Sequence, residues 1–416
     1  MAGYYNHTMR QMLPVTVGLL LSLPLLAQVP ARPGDPMLEH ARQILTEVPV
    51  IDGHNDFPWQ VRELAKGDLD QLDISRPQTS VMTDIPRLKA GGVGGQFWSV
   101  YVPVTLTGAD ATAATLEQID IVHRMVAKYP ATFALALSAD DIVHDEQQGK
   151  IASLIGVEGG HCINGSLGVL RMFYRLGARY MTLTHTSNTP WADSATDVAR
   201  ANGLTPFGES VVREMNRLGM LVDLSHVAPS TMAAAIKVSR APVIFSHSSA
   251  QALTDVRRNV PDDILRQLAT NGGVVMVTFV PGFVSQAVAD YTTRETEQQA
   301  AATAASKGDA AAATRAMDAW HAANPAPHAT VAQVADHIDH VKAIAGIDHI
   351  GLGSDFDGIT SVPDGLTDVA GYPHLVAELL RRGYTEDDVK KITGRNILRV
   401  LRQAEAVAVR LRPSVR

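Results

Sequence analysis

Apolar runs in this chain end repeatedly on a histidine or a carboxylate. Ile51-Asp-Gly-His-Asn-Asp56 carries His54 and Asp56, and Gly156-Val-Glu158 stops at Glu158. Leu183-Thr-His185 stops at His185, Asp223-Leu-Ser-His226 at His226, Ile244-Phe-Ser-His247 at His247, and His349-Ile-Gly-Leu-Gly-Ser-Asp355 at Asp355. Residues i and i+2 of a strand project to one side, so the His54 imidazole and the Asp56 carboxylate can chelate one divalent metal. An isolated His-x-Asp is more often incidental; its place directly after the run Val48-Pro-Val-Ile51 turns the reading toward a ligand pair. His226 and His247 supply a second imidazole pair. Two metals need a bridging anion, and Glu158 is the natural candidate, the alternative being a carboxylate that merely accepts nearby backbone amides. Histidine and carboxylate ligands without cysteine suit zinc, with Mn²⁺ or Co²⁺ as substitutes. Two Zn²⁺ per chain are therefore expected, sharing a water whose acidity is raised until it supplies hydroxide.

Such residues must be brought together by the elements between them. Strand-like runs cover Val48–Asp52, Gly94–Val102, Ile151–Glu158, Tyr180–His185, Met220–His226, Pro242–His247, Gly273–Phe279 and His349–Asp355. Each is short, rich in Val, Ile or Leu, and lacks polar alternation, as strands buried on both faces do. Helical patterns lie between them at Ala113–Lys128, Leu167–Leu176, Phe207–Leu218, Ser230–Ser239, Pro261–Thr270 and Thr330–Ala345. Ser230 and Pro261-Asp-Asp263 read as helix starts, Gly177 and Gly219 as stops. Eight strands alternating with helices predict an α/β fold, a (β/α)8 TIM-type barrel whose strand ends converge on one site. An open doubly wound sheet is the runner-up. It would gather ligands at a single switch point, whereas here polar residues end at least six strands. The Ala- and Gln-rich segment 284–328 reads as a helical insertion between strands 7 and 8; a linker interrupted at Lys307-Gly308-Asp309 is the alternative.

Composition narrows the function classes. The chain has 416 residues, 46% of them hydrophobic and 19% charged, with a net charge of −7. That is ample for a buried core, and no basic patch supports nucleic-acid binding. The single cysteine, Cys162, excludes an intrachain disulfide framework and reads as a buried structural thiol. The apolar run Leu13–Leu26 follows Arg10 and precedes small residues, the layout of a signal peptide over residues 1–29. A retained anchor is the alternative, but the run is shorter than a span needs and contains Pro14 and Pro24. The expected organisation is a linker and leading helix over 30–47, the barrel over 48–406 and a tail over 407–416. The protein is then expected to be exported, periplasmic or secreted, with no stable membrane insertion after the signal is removed.

Five longer motifs carry a resemblance. Asp52-Gly-His-Asn-Asp56 followed by Phe57-Pro-Trp59, Leu183-Thr-His-Thr-Ser-Asn-Thr-Pro-Trp-Ala-Asp193, Ala241-Pro-Val-Ile-Phe-Ser-His-Ser-Ser249, Arg257-Arg-Asn-Val-Pro-Asp-Asp263 and Gly353-Ser-Asp-Phe-Asp-Gly358 stand in this order. Together they resemble the membrane (renal-type) dipeptidases, binuclear zinc peptidases with an amidohydrolase-type barrel, from about Val48 to Ala404 apart from the insertion. The resemblance implies that His54 and Asp56 hold one zinc, His226 and His247 the other, and that Glu158 bridges them. It also implies that His185 contacts the substrate and polarises the scissile carbonyl, that Arg258 pairs with the substrate carboxylate, and that Asp355 handles the proton. A planar, always-charged guanidinium suits the Arg258 role. The substrate would be a dipeptide, with a D-residue tolerated at the carboxyl end, and relatives suggest a homodimer. Vertebrate members are cysteine-bridged and lipid-anchored; this chain has one cysteine and no hydrophobic tail, and looks like a bacterial exported relative. The alternatives are another amidohydrolase-type metal hydrolase acting on a lactam or ester, and a non-catalytic member of the family.

Other polar residues take structural readings. Asp357 is assigned a structural role beside Asp355. His123, His144, His321, His328, His337, His340, His349 and His374 lack matched partners and read as surface or helix-face residues. Gly91-Gly-Val-Gly-Gly95 lacks the flanking strand and helix of a dinucleotide loop, and Trp59 and Trp98 read as core.

Overall fold

A computed structural model describes residues 34–411. Nine parallel strands form one sheet: β1 (Val50–Asn55), β2 (Val93–Tyr101), β3 (Phe133–Leu135), β4 (Ile151–Glu158), β5 (Ala178–Thr182), β6 (Leu221–Asp223), β7 (Ile244–Ser248), β8 (Val274–Val277) and β9 (Ile350–Leu352). The order is β2-β1-β9-β8-β7-β6-β5-β4-β3, and pairing of β2 with β4 closes eight of the nine into a barrel. The expected (β/α)8 architecture is thus observed, with every expected run contributing a barrel strand. The unexpected member is β3. It pairs with β4 only at Ile151–Ser153, before β5 begins to pair at Ile155, so it fills the edge of β4 below β5.

The barrel strands are almost wholly buried, which explains their unbroken apolar character. Helices return the chain between them, for example Gly108–Lys128, Pro206–Leu218, Asp262–Asn271 and Val331–Ala345. Two of these helices start on side-chain caps, the Thr205 hydroxyl accepting from Gly208 N and Thr330 and Gln333 forming a reciprocal capping box, whereas the helices begun near Ser230 and at Asp262 have Ala228 and Pro261 at the cap and no side-chain bond there. The helix Pro206–Leu218 stops at Gly219, whose φ of 86° is the left-handed conformation open to glycine.

Inside the barrel Ile51, Phe97, Leu154, Tyr180, Leu221, Ile244, Val274 and Met276 share a core with Ile397, Val400, Leu401 and Ala404 of the last helix. That helix lies across the amino-terminal strand ends: Asn396 Nδ2 donates to Ile350 O, and Arg399 Nη1 donates to Gly272 O. One end of the barrel is thereby plugged, and the chemistry is confined to the other. The last helix runs to Leu411 with Val407 and Ala408 buried, so the tail expected from residue 407 is partly core. The expected signal, 1–29, lies outside the described residues.

The insertion is helical and falls between β8 and β9, the seventh and eighth barrel strands. Gln286–Ala305 and Ala310–Ala323 form a hairpin, and Lys307-Gly308 makes its turn with φ of 49° and 96°. Asp309 then caps the second helix by accepting from Ala312 N at 3.1 Å. Few of its side chains are buried (Ala289, Tyr291, Ala302, Ala313 and Met317 among the hydrophobics), so the hairpin packs chiefly on itself. No helix among the described residues is long and apolar enough to cross a membrane.

Candidate metal centre and substrate pocket

The sequence places Glu158, His185, His226, His247 and Asp355 in strand runs and His54 and Asp56 just beyond one; the structure keeps Glu158 and His247 in strands, extends β1 to take in His54, and puts the others just beyond. β5 ends at Thr182, β6 at Asp223 and β9 at Leu352, each three residues before His185, His226 and Asp355 respectively. The cause is visible in the backbone at two of them. His226 and Asp355 have φ of 70° and 69°, left-handed values that no ladder can continue and that non-glycine residues adopt only where the surroundings impose them. Around His226 the surroundings are explicit. Its carbonyl accepts from Ala195 N at 2.8 Å and from the Thr184 and Ser194 hydroxyls. The loop carrying Ala195 is tied in turn by Asp193, whose carboxylate accepts from Arg200, Ala201 and Gly203 N. Asp355 is zipped to β1, its N–H donating to His54 O at 3.1 Å while Asp56 N donates to Phe356 O at 2.9 Å.

These ends bring six residues around one carboxylate. Glu158 Oε2 lies 3.4 Å from His54 Nε2, and its Oε1 lies 2.9 Å from His226 Nε2, 3.5 Å from His185 Nε2 and 3.6 Å from His247 Nε2. His54 Nε2 is 3.2 Å from Asp56 Oδ2, and His226 and His247 meet at 2.9 Å between their Nε2 atoms. Three sets of side chains converge closely enough to hold an ion: His54, Glu158 and His247; Glu158, His185 and His226; and His54, Asp56 and Asp355. They cross the pairing expected from the sequence, because His247 also reaches the His54 side and His185 stands as near Glu158 as the imidazoles assigned to metal.

The donor set fits divalent metal. His54 Nε2 and Asp56 Oδ1 are buried without a hydrogen-bond partner, at the two atoms that would ligate. Burial and the neighbouring His54 and Arg258 charges hold His247 well below its ordinary value, and burial with Arg258 and His185 does the same for His226. Both are therefore neutral and present lone pairs. Burial would discharge Glu158, yet the surrounding histidines hold its carboxyl well below the usual range. Burial likewise opposes charge on His54, but Tyr180, Glu158 and Asp56 outweigh it and hold the imidazole up, so this corner calls for positive charge.

Beyond the ring, Arg258 is buried and makes two long hydrogen bonds, to Ser248 Oγ and His247 O, both at 3.3 Å. Its guanidinium lies over the Phe283 ring at 5.2 Å, and burial lowers it only to about 10, so it stays charged at neutral pH. Most of its five donors remain free for a ligand. Desolvation pushes the Asp355 carboxyl well above the ordinary range, although His54 and Arg258 oppose the shift, and desolvation pulls His185 down. Tyr101 packs on His185 with ring centroids 5.0 Å apart, and Trp59 meets Tyr101 edge-on at 4.9 Å. Trp59 is thus half-buried at the site, while Trp98 is core as expected.

Asp357 is structural: its Oδ1 accepts from Met82 N at 2.5 Å. The Asp336-His-Ile-Asp-His340 segment is not a ligand set. His337 is buried and accepts from Ala250 N, His340 pairs with Asp262, and Asp336 and Asp339 both pair with Arg382. Sequence reasoning missed the groups behind the ring. Ser99 donates to Glu158 Oε2 at 3.0 Å, and Asp52 accepts from Ser354 N and Oγ, both at 2.7 Å. Tyr180 and Asp223 lay inside recognised runs, but nothing local marked their polar ends as facing a histidine.

A TIM-type barrel that gathers buried histidines and carboxylates at its carboxyl-terminal face has the donor set of a metal-dependent enzyme. Comparison with known proteins narrows this. The model of the membrane dipeptidase family, peptidase family M19, matches residues 38–415, and the chain belongs to that family. Dipeptidase 3 of Mus musculus is 42% identical over 379 residues, covering 90% of this chain and 68% of that protein. Among solved structures, the probable dipeptidase PvdM from Pseudomonas aeruginosa superposes with a TM-score of 0.76 at 23% identity, covering 89% of this chain and 99% of that one. A metallopeptidase from Rhodobacter sphaeroides, liganded with a phosphinate mimic of the dipeptide L-Ala-D-Ala, gives 0.71 at 24% identity, covering 86% and 99%.

Proposed function

We propose that the protein is an exported dipeptidase that uses two zinc ions to hydrolyse the peptide bond of dipeptides, including those with a D-residue at the carboxyl end. The observation that carries the reading is the single Glu158 carboxylate, with Oε2 3.4 Å from His54 and Oε1 2.9 Å from His226. A carboxylate shared between two imidazole-bearing corners is what a bridging ligand requires. His54 and Asp56 would hold one ion and His226 and His247 the other. When bound, the ions supply an acidified water as nucleophile and polarise the scissile carbonyl.

The chain's own residues do the rest. Arg258 fixes the substrate by its free carboxylate, a charge that stays in place through the reaction. His185, neutral and donating, aims an N–H at the oxygen where negative charge develops. Asp355, whose desolvated carboxyl accepts a proton readily, takes one from the attacking water and delivers it to the leaving amine. Tyr101, met edge-on by Trp59, packs against the His185 ring and holds its orientation. The apolar run Leu13–Leu26 supports export, and the neighbour liganded with an L-Ala-D-Ala mimic supports tolerance of a D-residue. A homodimer is part of the same proposal. The test is hydrolysis of a panel of L,L- and L,D-dipeptides by the purified protein, with zinc counted in the same sample. Turnover of free dipeptides with two zinc ions per chain is expected; two bound ions without turnover of any dipeptide would favour the non-catalytic reading.

A further inference from the structure

Two of the three histidines that the foregoing reading assigns as ligands make a hydrogen bond through the far ring nitrogen, and each does so to a hydroxyl. His54 Nδ1 lies 2.8 Å from Tyr180 Oη, and His247 Nδ1 lies 2.8 Å from Ser246 Oγ. A hydroxyl has one proton, so where that proton goes decides which way the imidazole bond runs. Ser246 Oγ is 2.6 Å from Asp223 Oδ2, and Asp223 is a built acceptor: its other oxygen receives the N–H groups of Ser225 and Ser246 at 3.0 and 2.9 Å. The serine proton is therefore committed to the carboxylate, Ser246 Oγ accepts from His247 Nδ1–H, and Nε2 keeps its lone pair. Tyr180 Oη is 3.2 Å from Gly53 O, an acceptor only. With its proton on that carbonyl, Tyr180 accepts from His54 Nδ1–H, which leaves the lone pair for metal on Nε2, the ring nitrogen that has no hydrogen-bond partner in the cluster.

The phenol reaches this position because of a glycine. Tyr180 is fully buried inside the barrel and its ring crosses the neighbouring strand at Gly156, where an added Cβ would lie 2.0 Å from Tyr180 Cζ. The first glycine of Gly-Val-Glu-Gly-Gly thus makes room for the tyrosine that serves His54, while two residues on Glu158 faces the same imidazole from the front.

We propose that Tyr180 and Ser246, the latter backed by Asp223, are positioning residues that fix the tautomers of His54 and His247, one relay for each metal ion. This rests on the two-zinc reading. Neither hydroxyl touches substrate; each holds a ring so that Nε2, not Nδ1, faces the ion. Partners of this kind typically change metal affinity about 10- to 100-fold. The test is stepwise zinc competition against a chromophoric chelator, read as two dissociation constants, for the wild type, Tyr180→Phe and Ser246→Ala. Tyr180→Phe is expected to weaken one constant by about 10- to 100-fold and leave the other unchanged, and Ser246→Ala to weaken the other instead. A general loss of packing would move both constants together, so equal shifts of the two would overturn the inference, as would two unchanged constants in either variant. The two substitutions are separate, so each half is decided even where one variant fails to fold. A wild type that binds a single zinc would overturn the two-ion reading and the inference with it; two wild-type constants that neither variant moves would overturn the inference alone.

Discussion

Replacing Arg258 with Met separates a dipeptidase from any hydrolase of neutral substrates. The guanidinium is buried beneath Phe283, carries only two 3.3 Å hydrogen bonds of its own, and remains charged with burial lowering it to about 10. A substrate carboxylate placed there would gain a paired set of charge-assisted bonds, each worth about 1.5–3 kcal/mol. Methionine preserves the apolar stem and removes the fork. The loss on a free dipeptide is then about 3–5 kcal/mol, on the order of 10²- to 10³-fold or more in kcat/KM. The same dipeptide with an amidated carboxyl end has nothing for Arg258 to pair with, so its already low kcat/KM should change little. The assay is initial rates on the two substrates, wild type against variant, with Arg258→Lys as a variant that keeps charge without the bidentate geometry and should fall between. A variant that retains wild-type kcat/KM on the free dipeptide, or loses equally on both substrates, refutes the assignment of Arg258 as the carboxylate reader.

Other perturbations follow from the same geometry. Glu158→Gln keeps the shape of the shared carboxylate and removes its charge, so the purified variant should hold one zinc or none; a count of two would refute the bridge. Gly156→Ala sets a methyl 2.0 Å from Tyr180 Cζ, and since overpacking typically costs about 1–3 kcal/mol, urea unfolding should show a destabilised protein with weakened zinc binding. Unchanged stability and zinc binding would show that the ring has room elsewhere. Burial lowers His337 from 6.5 to about 4, so its neutral form is favoured by the fold. That contribution is complete above pH 6.5 and is lost as pH falls toward 4, about 3 kcal/mol in all. The stability gap between wild type and His337→Asn should narrow across this window, and parallel pH profiles would contradict it.

Much of the barrel was legible because a strand buried on both faces has no polar alternation to confuse, and eight such runs separated by helices admit few architectures. What was not legible is instructive. β3 is three residues long and borrows its pairing from the first half of β4, so Phe133-Ala-Leu135 gave no run to notice. The strand ends were placed too far along because His226 and Asp355 look like the last members of apolar runs, while their left-handed backbones, imposed by loops from elsewhere, end the ladder earlier. Within the site, residue types and order pointed to His54, Asp56, Glu158, His185, His226, His247 and Asp355, and the fold gathers them. Their hydrogen-bonded supports were hidden for a physical reason: Tyr180 stands 126 residues from His54, and Ser354 some 302 from Asp52, so only the closed sheet makes them neighbours. His337 was read as a surface or helix-face residue because its partner, the amide of Ala250, comes from a loop 87 residues away.

The central claim is that a carboxylate shared by two imidazole-bearing corners organises two zinc ions for dipeptide hydrolysis. It is tested most directly by titrating zinc into metal-free protein while following hydrolysis of a free dipeptide. The account predicts turnover that appears as the second equivalent per chain is filled and is absent from Glu158→Gln at any occupancy. Full activity at one equivalent, or undiminished activity in Glu158→Gln, would contradict it.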